Sequence, residues 1–270
     1  MPPVFILGKG LSVKIVMLGA GNLATHLALA LYQSGENIVQ VFSRTRENAA
    51  ALAGKVGAEP LTRAAAVSPD ADVCLYALAD AALPEIINAV PANGAVHAHT
   101  AGSMPMALFA GRQENYGVFY PLQTFSKAKP VDFAEIPVFL ESATPGAGEC
   151  LDALARKVSR HVYPADSARR RRLHLAAVFA CNFSNHLYHV ADELLGDIPF
   201  AVMQPLLAET LAKTREMPPA RGQTGPARRG DVNVMRAHLE ALAEFPEWRE
   251  IYRLLSRDIM RVAQLPPAEL

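Results

Sequence analysis

"VKIVMLGAGNLATHLALALYQSG", residues 13–35, decides how the rest of the chain is read. A short apolar run from Val13 to Leu18 gives way to Gly19, Gly21 and Ala24, then to an apolar pattern of helical period through Ala28, Leu29, Leu31 and Tyr32, closed by Gly35. This predicts strand, tight turn and helix in that order. The spacing suits a dinucleotide. Gly19 makes the turn, Gly21 lets the backbone approach a pyrophosphate, and small Ala24 lets helix and strand pack closely, with the phosphates at the positive end of the helix. Asn22 and Leu23, at the start of that helix, join the candidate cofactor contacts. Glycine turns after strands are common, so the fingerprint needs its context to mean anything.

The context supplies it. A second apolar run, "IVQVFS" (Ile38 to Ser43), ends about twenty residues on, where a ribose-reading residue is expected. An acidic side chain there would bind the free ribose of NAD. The sequence instead offers Ser43, Arg44, Thr45 and Arg46, whose hydroxyls and guanidinium forks suit a 2′-phosphate. NADP is therefore expected over NAD, a solvated arginine loop being the alternative. Helical and strand patterns keep alternating through "ADVCLYAL", "GAVHAHTAGSM", "YGVFYPLQTF" and "IPVFLES", which predicts an α/β fold with a mostly parallel, covered sheet. Ligands of such sheets sit beyond the carboxyl ends of strands. Leu78 and Ala79 are expected to line the cofactor, and His99, Thr100 and Ser103 to face its nicotinamide region, with ordinary turn chemistry the alternative, for Ser103 above all.

From Asp166 the character changes. "DSARRRRLHLAAVFACNFSNHLYHVADELLG" reads as one long helix capped by Asp166 or Ser167 and ended by Gly196, apolar on nearly every face and so expected to be buried. Further helical patterns follow. The domains expected are an extension at residues 1–12, suspected of being tag-like or misassigned, a Rossmann domain at 13–165 and an all-helical domain at 166–270. So apolar a helix needs more cover than its neighbours give, and a homodimer through the helical domain is expected. The run Arg169 to Arg172 points around the helix circumference with no interleaved aromatics, which argues against nucleic acid. His186 and His189 have a metal-compatible spacing but no acidic or cysteine partner, so no metal is expected. Asn182, Asn185 and His186 are polar groups in an apolar helix and need partners, either a ligand in a cleft or backbone and a second subunit.

Composition sets the outer bounds. With 270 residues, 51% hydrophobic and 19% charged, and 26 basic side chains against 26 acidic ones, the chain has a globular composition and no net charge to attract nucleic acid or an anionic membrane. Cys74, Cys150 and Cys181 lie far apart in apolar surroundings and read as reduced core thiols. No membrane span or secretory signal is recognised, and a cytoplasmic address is expected.

The segments "GAGNLATHLALAL", "FSRT", "HTAGS", "YPLQTFS", "ACNFSNHLY" and "TGPARRGD", in that order over about residues 13–265, resemble a bacterial family that pairs a Rossmann-like domain with a C-terminal domain of unknown function. Its members are labelled pyrroline-5-carboxylate reductase-like or deazaflavin-dependent NADP oxidoreductase-like. The resemblance implies a 6-phosphogluconate dehydrogenase-type fold, in which the helical domain usually dimerises. Two departures stand out. Aligning Asn182 with the asparagine of the β-hydroxyacid dehydrogenases puts Val178 where their catalytic lysine belongs, and Tyr120 precedes Pro121 where relatives carry histidine.

The function expected is an NADP(H)-dependent oxidoreductase that reduces a C=O or C=N bond of a small, anionic substrate held between the domains. The alternative is a non-catalytic NADP-binding sensor or dimeric scaffold. His99, Tyr120, Asn182 and His186 are the candidate catalytic groups, with Tyr120 a hydrogen-bond or proton donor rather than a base, and Thr124 is a candidate substrate contact. "TGPARRGD" (224–231) lacks the display an adhesion tripeptide needs and the GKS or GKT ending of a phosphate loop. It reads as a turn before a helix capped by Asp231, whose Thr224 and Arg229 are expected to contact substrate or cofactor, a plain surface turn being the alternative.

Overall fold

A computed structural model describes residues 12–270, so the expectation for residues 1–12 lies, but for Ser12, outside the described residues. Contacts divide the chain into two compact units that meet in sequence at Asn182 and Phe183.

The first unit is built on an eight-stranded sheet of order β3-β2-β1-β4-β5-β6-β7-β8. Its strands are β1 (Lys14–Leu18), β2 (Asn37–Phe42), β3 (Glu59–Leu61), β4 (Val73–Tyr76), β5 (Val96–His99), β6 (Tyr116–Pro121), β7 (Val138–Ser142) and β8 (Val162–Pro164). Neighbours are parallel except β6 and β7, which run antiparallel. Continuous apolar runs follow from covering both faces. Ile15 and Met17 of β1 pack into one core with Leu27, Leu52 and Leu154, while Val16 and Leu18 pack into another with Phe42, Leu83 and Phe109. The covering helices of the first core are α1 (Asn22–Gln33), α2 (Arg46–Val56) and α4 (Pro145–Val158); α3 (Leu83–Ala89) covers the second. Strand order reverses at β1, with β2 on one side and β4 on the other. That reversal opens the crevice in which doubly wound sheets bind ligands.

The predicted long helix is helical from Ser167 to Leu195, as α5 (Ser167–Ala177), a π-helical turn (Val178–Phe183) and α6 (Ser184–Leu195). Asp166 caps it, its carboxylate accepting from the Arg169 amide at 2.7 Å. Its predicted burial is corrected. No residue of α6 is buried, and Leu175, Phe179 and Phe183 are at least half exposed. The second unit continues with α7 (Gln204–Glu216), the single turns α8 (Pro219–Gly222) and α9 (Pro226–Arg229), then α10 (Val232–Ala241) and α11 (Pro246–Val262). Its core forms around Ala227, Met235 and Met260. No helix of the described residues is long and apolar enough to cross a membrane.

Candidate active site

The carboxyl ends of β1, β2, β4, β5 and β6 carry almost every residue singled out in the first half of the sequence. Gly19 leaves β1 at φ 130°, donates its amide to Phe42 O at 2.9 Å, and sits so close to the Ala77 carbonyl that any Cβ would collide with it. Only glycine fits there. Gly21 is the opposite case: its Cβ position has nothing within 4 Å, so the space over the first turn of α1 is open. Helix-initiating amides have no intrahelical acceptor, and those of Asn22, Leu23 and Ala24 meet none among the described residues. An open approach with unpaired donors fits a pyrophosphate. Ser43, Arg44 and Thr45 turn the chain from β2 into α2, with Arg44 and Arg46 exposed and making no ion pair among the described residues. Two free guanidinium groups beside a hydroxyl fit a phosphate on the ribose.

The start of α1 is tied to the loop after β6. Asn22 Nδ2 donates to Phe125 O at 2.9 Å, the His26 ring stacks on Phe125 with centroids 5.6 Å apart, and His26 Nε2 lies 2.8 Å from Ser126 O. Beside this strut lies a cavity of about 500 Å³ within the first unit. Leu23 and Leu78 give it apolar wall, and Thr100, Tyr120, Thr124 and Asn182 bring the expected polar groups into it. Asp80, Gln123, His174 and Cys181 also line it, and the sequence reading missed all four as site residues. Among the described residues, no lysine or arginine lines this cavity.

Tyr120 keeps only 7% of its surface, and burial, partly offset by the nearby Arg170 charge, raises its phenol above the ordinary tyrosine range. The group is therefore protonated at neutral pH. Its Oη lies 3.3 Å from His174 Nδ1, and the rings meet edge to face. Gly102 presses on both: a Cβ there would come within 2.7 Å of His174 Nδ1 and 2.8 Å of Tyr120 Cζ. A signal for His174 was present, since it stands eight residues before Asn182 and shares its face on a regular helix.

One turn before His174, Arg170 is wholly buried. It pairs with Glu141, donates to Ala101 O at 3.2 Å and Met104 O at 2.5 Å, and so holds the loop between β5 and the cavity. Ser167 Oγ completes the cluster, 2.9 Å from Glu141 Oε2. Of the four arginines that point around the helix circumference, this one is turned inward and enclosed.

His99 does not reach the cavity. It is fully buried and stacks on Phe109; it accepts from the Ala101 amide at Nδ1 and points Nε2 at Pro105 O, 3.3 Å away. Burial lowers its pKa to about 4, so it is a neutral, internally satisfied ring. Ala79 is exposed at the carboxyl end of β4, outside the cavity lining. Ser103 hydrogen-bonds Asp80, at the cavity rim. In the second unit His186 is exposed, its ring 6.1 Å from that of His189. No group of three or more potential ligands able to hold a metal occurs among the described residues. Cys74 and Cys150 are buried as expected, whereas Cys181 is exposed; the expectation of a core thiol is corrected there.

"TGPARRGD" forms a turn whose glycines need their freedom, with Gly225 at φ 100° and Gly230 at φ 70°. Asp231 caps α10, accepting from the Val234 amide at 3.4 Å. Arg229 is exposed at the end of α9, and Thr224 lines a separate cavity of about 300 Å³ in the second unit with His238, Tyr252 and Ser256.

Comparison with known proteins matches residues 14–98 to the coenzyme F420-dependent NADP oxidoreductase family and residues 136–259 to a domain of unknown function, DUF2520. A Bacteroides fragilis crystal structure described as a "putative NADP oxidoreductase" is 49% identical, covering 93% of this chain and 98% of its own, with a TM-score of 0.88. A Thermotoga maritima protein is 22% identical over 93% of this chain and 99% of its own, with a TM-score of 0.77. An Aspergillus terreus reductive aminase, in complex with NADPH and ethyl levulinate, is 18% identical over 94% of each chain, with a TM-score of 0.69. These last two share the fold. No curated protein matches the chain.

Proposed function

The chain belongs to the NADP oxidoreductase family of its Bacteroides fragilis relative, and on that premise we propose that it is an NADP(H)-dependent reductase whose chemistry takes place in the cavity beside Tyr120. The observation that carries this reading is the single edge of the sheet on which an open, donor-rich helix start and a cavity lined by a protonated phenol meet. Gly19, Gly21, Asn22 and Leu23 hold the pyrophosphate, Ser43, Arg44 and Thr45 the ribose phosphate, and Leu78, Ala79 and Thr100 border the nicotinamide side. When bound, NADPH supplies a hydride.

The protein's share is to orient a C=O or C=N bond, shield it from water and deliver one proton. Tyr120 donates that proton. Thr124 and Asn182 hold the substrate by hydrogen bonds. For an anionic substrate, the Thr224 hydroxyl and the Arg229 guanidinium on the turn of the second unit offer the kind of donors an acidic group needs. A second copy of the chain covers the apolar side chains exposed on α5, α6 and α7, which include Leu175, Leu194, Leu206 and Leu211. Sedimentation analysis reads that dimer directly.

Fluorescence titration with NADPH and NADH, followed by NADPH oxidation with 2-oxo acids and cyclic imines, tests the reading. Arg44→Ala removes a charge-assisted hydrogen bond worth about 1.5–3 kcal/mol, so the NADPH Kd rises about 10- to 100-fold and NADH binding is unmoved. Equal losses for both cofactors would refute the ribose-phosphate assignment. NADPH binding with no oxidation of any probe would refute catalysis.

A further inference from the structure

We propose that His174 recharges and orients Tyr120, making the two side chains a proton relay that sets the pH dependence of the reductase reading above, on which this inference rests. Tyr120 meets the substrate; His174 acts through it.

The geometry comes first. Tyr120 ends β6 and His174 lies on α5, and both open onto the same cavity. Their Oη and Nδ1 atoms are 3.3 Å apart, at the long end of a hydrogen bond, as is common for proton-transfer pairs before a substrate arrives. Two constraints hold them there. Arg170, four residues before His174, fixes this face of α5 through Glu141 and two loop carbonyls. Gly102 lets that loop close on both rings, because it has no Cβ to force them apart.

The phenol's hydrogen can point in only one direction at a time. With His174 neutral and its Nδ1 lone pair toward Tyr120, the phenol donates to the ring and its hydrogen is withheld from the cavity. With His174 protonated, Nδ1–H donates to the phenol oxygen and turns the phenol hydrogen toward the substrate. Histidine is the side chain whose change of charge ordinarily falls between pH 5 and 8. The other charged or titratable groups at this place are Asp80 and Cys181 in the cavity lining, and Arg170 with its partner Glu141 behind it. Arg170 is committed to Glu141 and to backbone carbonyls, which leaves His174 as the switchable donor.

The step balances. Hydride brings an electron pair to the substrate carbon, the π bond to oxygen or nitrogen breaks, and that atom takes the Tyr120 proton. The phenolate takes the Nδ1 proton of His174, and the imidazole is reprotonated from water. One solvent proton is consumed per turnover.

The full chain, labelled with ¹³C,¹⁵N-histidine, gives the first readout: the His174 resonance, identified by its loss in H174Q, is titrated in wild type and in Tyr120→Phe. The relay requires its midpoint to move by about 0.4–1 pH unit in Y120F, the shift one hydrogen bond imposes. The second readout is kcat with saturating NADPH and 1-pyrroline or pyruvate as probes. In wild type log kcat falls as pH rises through the His174 midpoint that the resonance titration measures. In H174Q that fall disappears and kcat drops about 10- to 100-fold, with NADPH Kd within about twofold. An unmoved midpoint in Y120F, or an intact pH limb in H174Q, would overturn the proposal. Absence of probe reduction by wild type would strike the reductase reading alone, and the Y120F midpoint still decides the pair.

Discussion

Replacing Arg170 with methionine removes a wholly enclosed guanidinium, and its consequences can be worked out atom by atom. Glu141, whose side chain is 14% exposed, loses its ion partner and keeps only the Ser167 hydroxyl, 2.9 Å from Oε2. Ala101 O and Met104 O lose donors at 3.2 and 2.5 Å. Breaking a buried pair from one side costs about 3–5 kcal/mol, because the surviving charge stays desolvated. For a chain of this size about 1 kcal/mol corresponds to 2–4 °C, so Tm should fall by about 6–20 °C. The second half of the test separates charge from packing. Arg170→Met combined with Glu141→Leu removes both charges and should regain most of the loss, as apolar replacement of buried pairs generally does. Turnover should not return with it, since the loop carbonyls that Arg170 held remain without their donors. Urea and thermal unfolding of both variants, with NADPH oxidation alongside, measure these outcomes. A single variant within about 1 kcal/mol of wild type, or a double variant no more stable than the single, would refute the cluster as described.

Two further expectations follow from burial. Burial pushes the thiols of Cys74 and Cys150 up to about 12 and 11, so at pH 8 iodoacetamide should label Cys181 alone until the chain unfolds; fast modification of Cys74 would contradict its packing. Burial also lowers His97 and His99 to about 4, against 6.5 for an ordinary imidazole. The unfolded chain then binds more protons between those two values, so their contribution is fully present above pH 6.5 and is lost as pH falls toward 4, by about 3 kcal/mol for each ring at most. Urea midpoints from pH 7 to 4.5 should fall accordingly, and a His97→Gln variant should show a flatter fall. A flat wild-type profile would refute the assignment.

Much of the cofactor half of the fold was legible because its signals are local. Gly19, Gly21 and Ala24 need only a strand before and a helix after, and β1 alternates between two cores in a run short enough to read by eye. What escaped depends on partners far away in sequence. Nothing within "RRRR" says that Arg170 goes inward; that is decided by Glu141, on β7, and by the carbonyls after β5. His99 sits at a strand end, where ligand contacts are expected, but the direction of its ring is set by Phe109 and Pro105. β3 and β8, three residues each at the two edges of the sheet, were too short to give a pattern. The long helix was expected to be buried on the strength of its apolar residues, yet no residue of α6 is buried, because an apolar pattern alone does not say what packs against it.

Gly102 also constrains how this sequence can drift. Alanine at 102 needs space that the Tyr120 and His174 rings occupy together, so position 102 is not free to change while both rings remain. Substitutions at 102, 120 and 174 should therefore appear as a correlated set among relatives. Homologues that keep both rings should keep glycine, and those with a larger residue at 102 should carry a smaller side chain at one of the other two. The three positions are separated by up to 72 residues in the chain, yet they should be inherited as one unit.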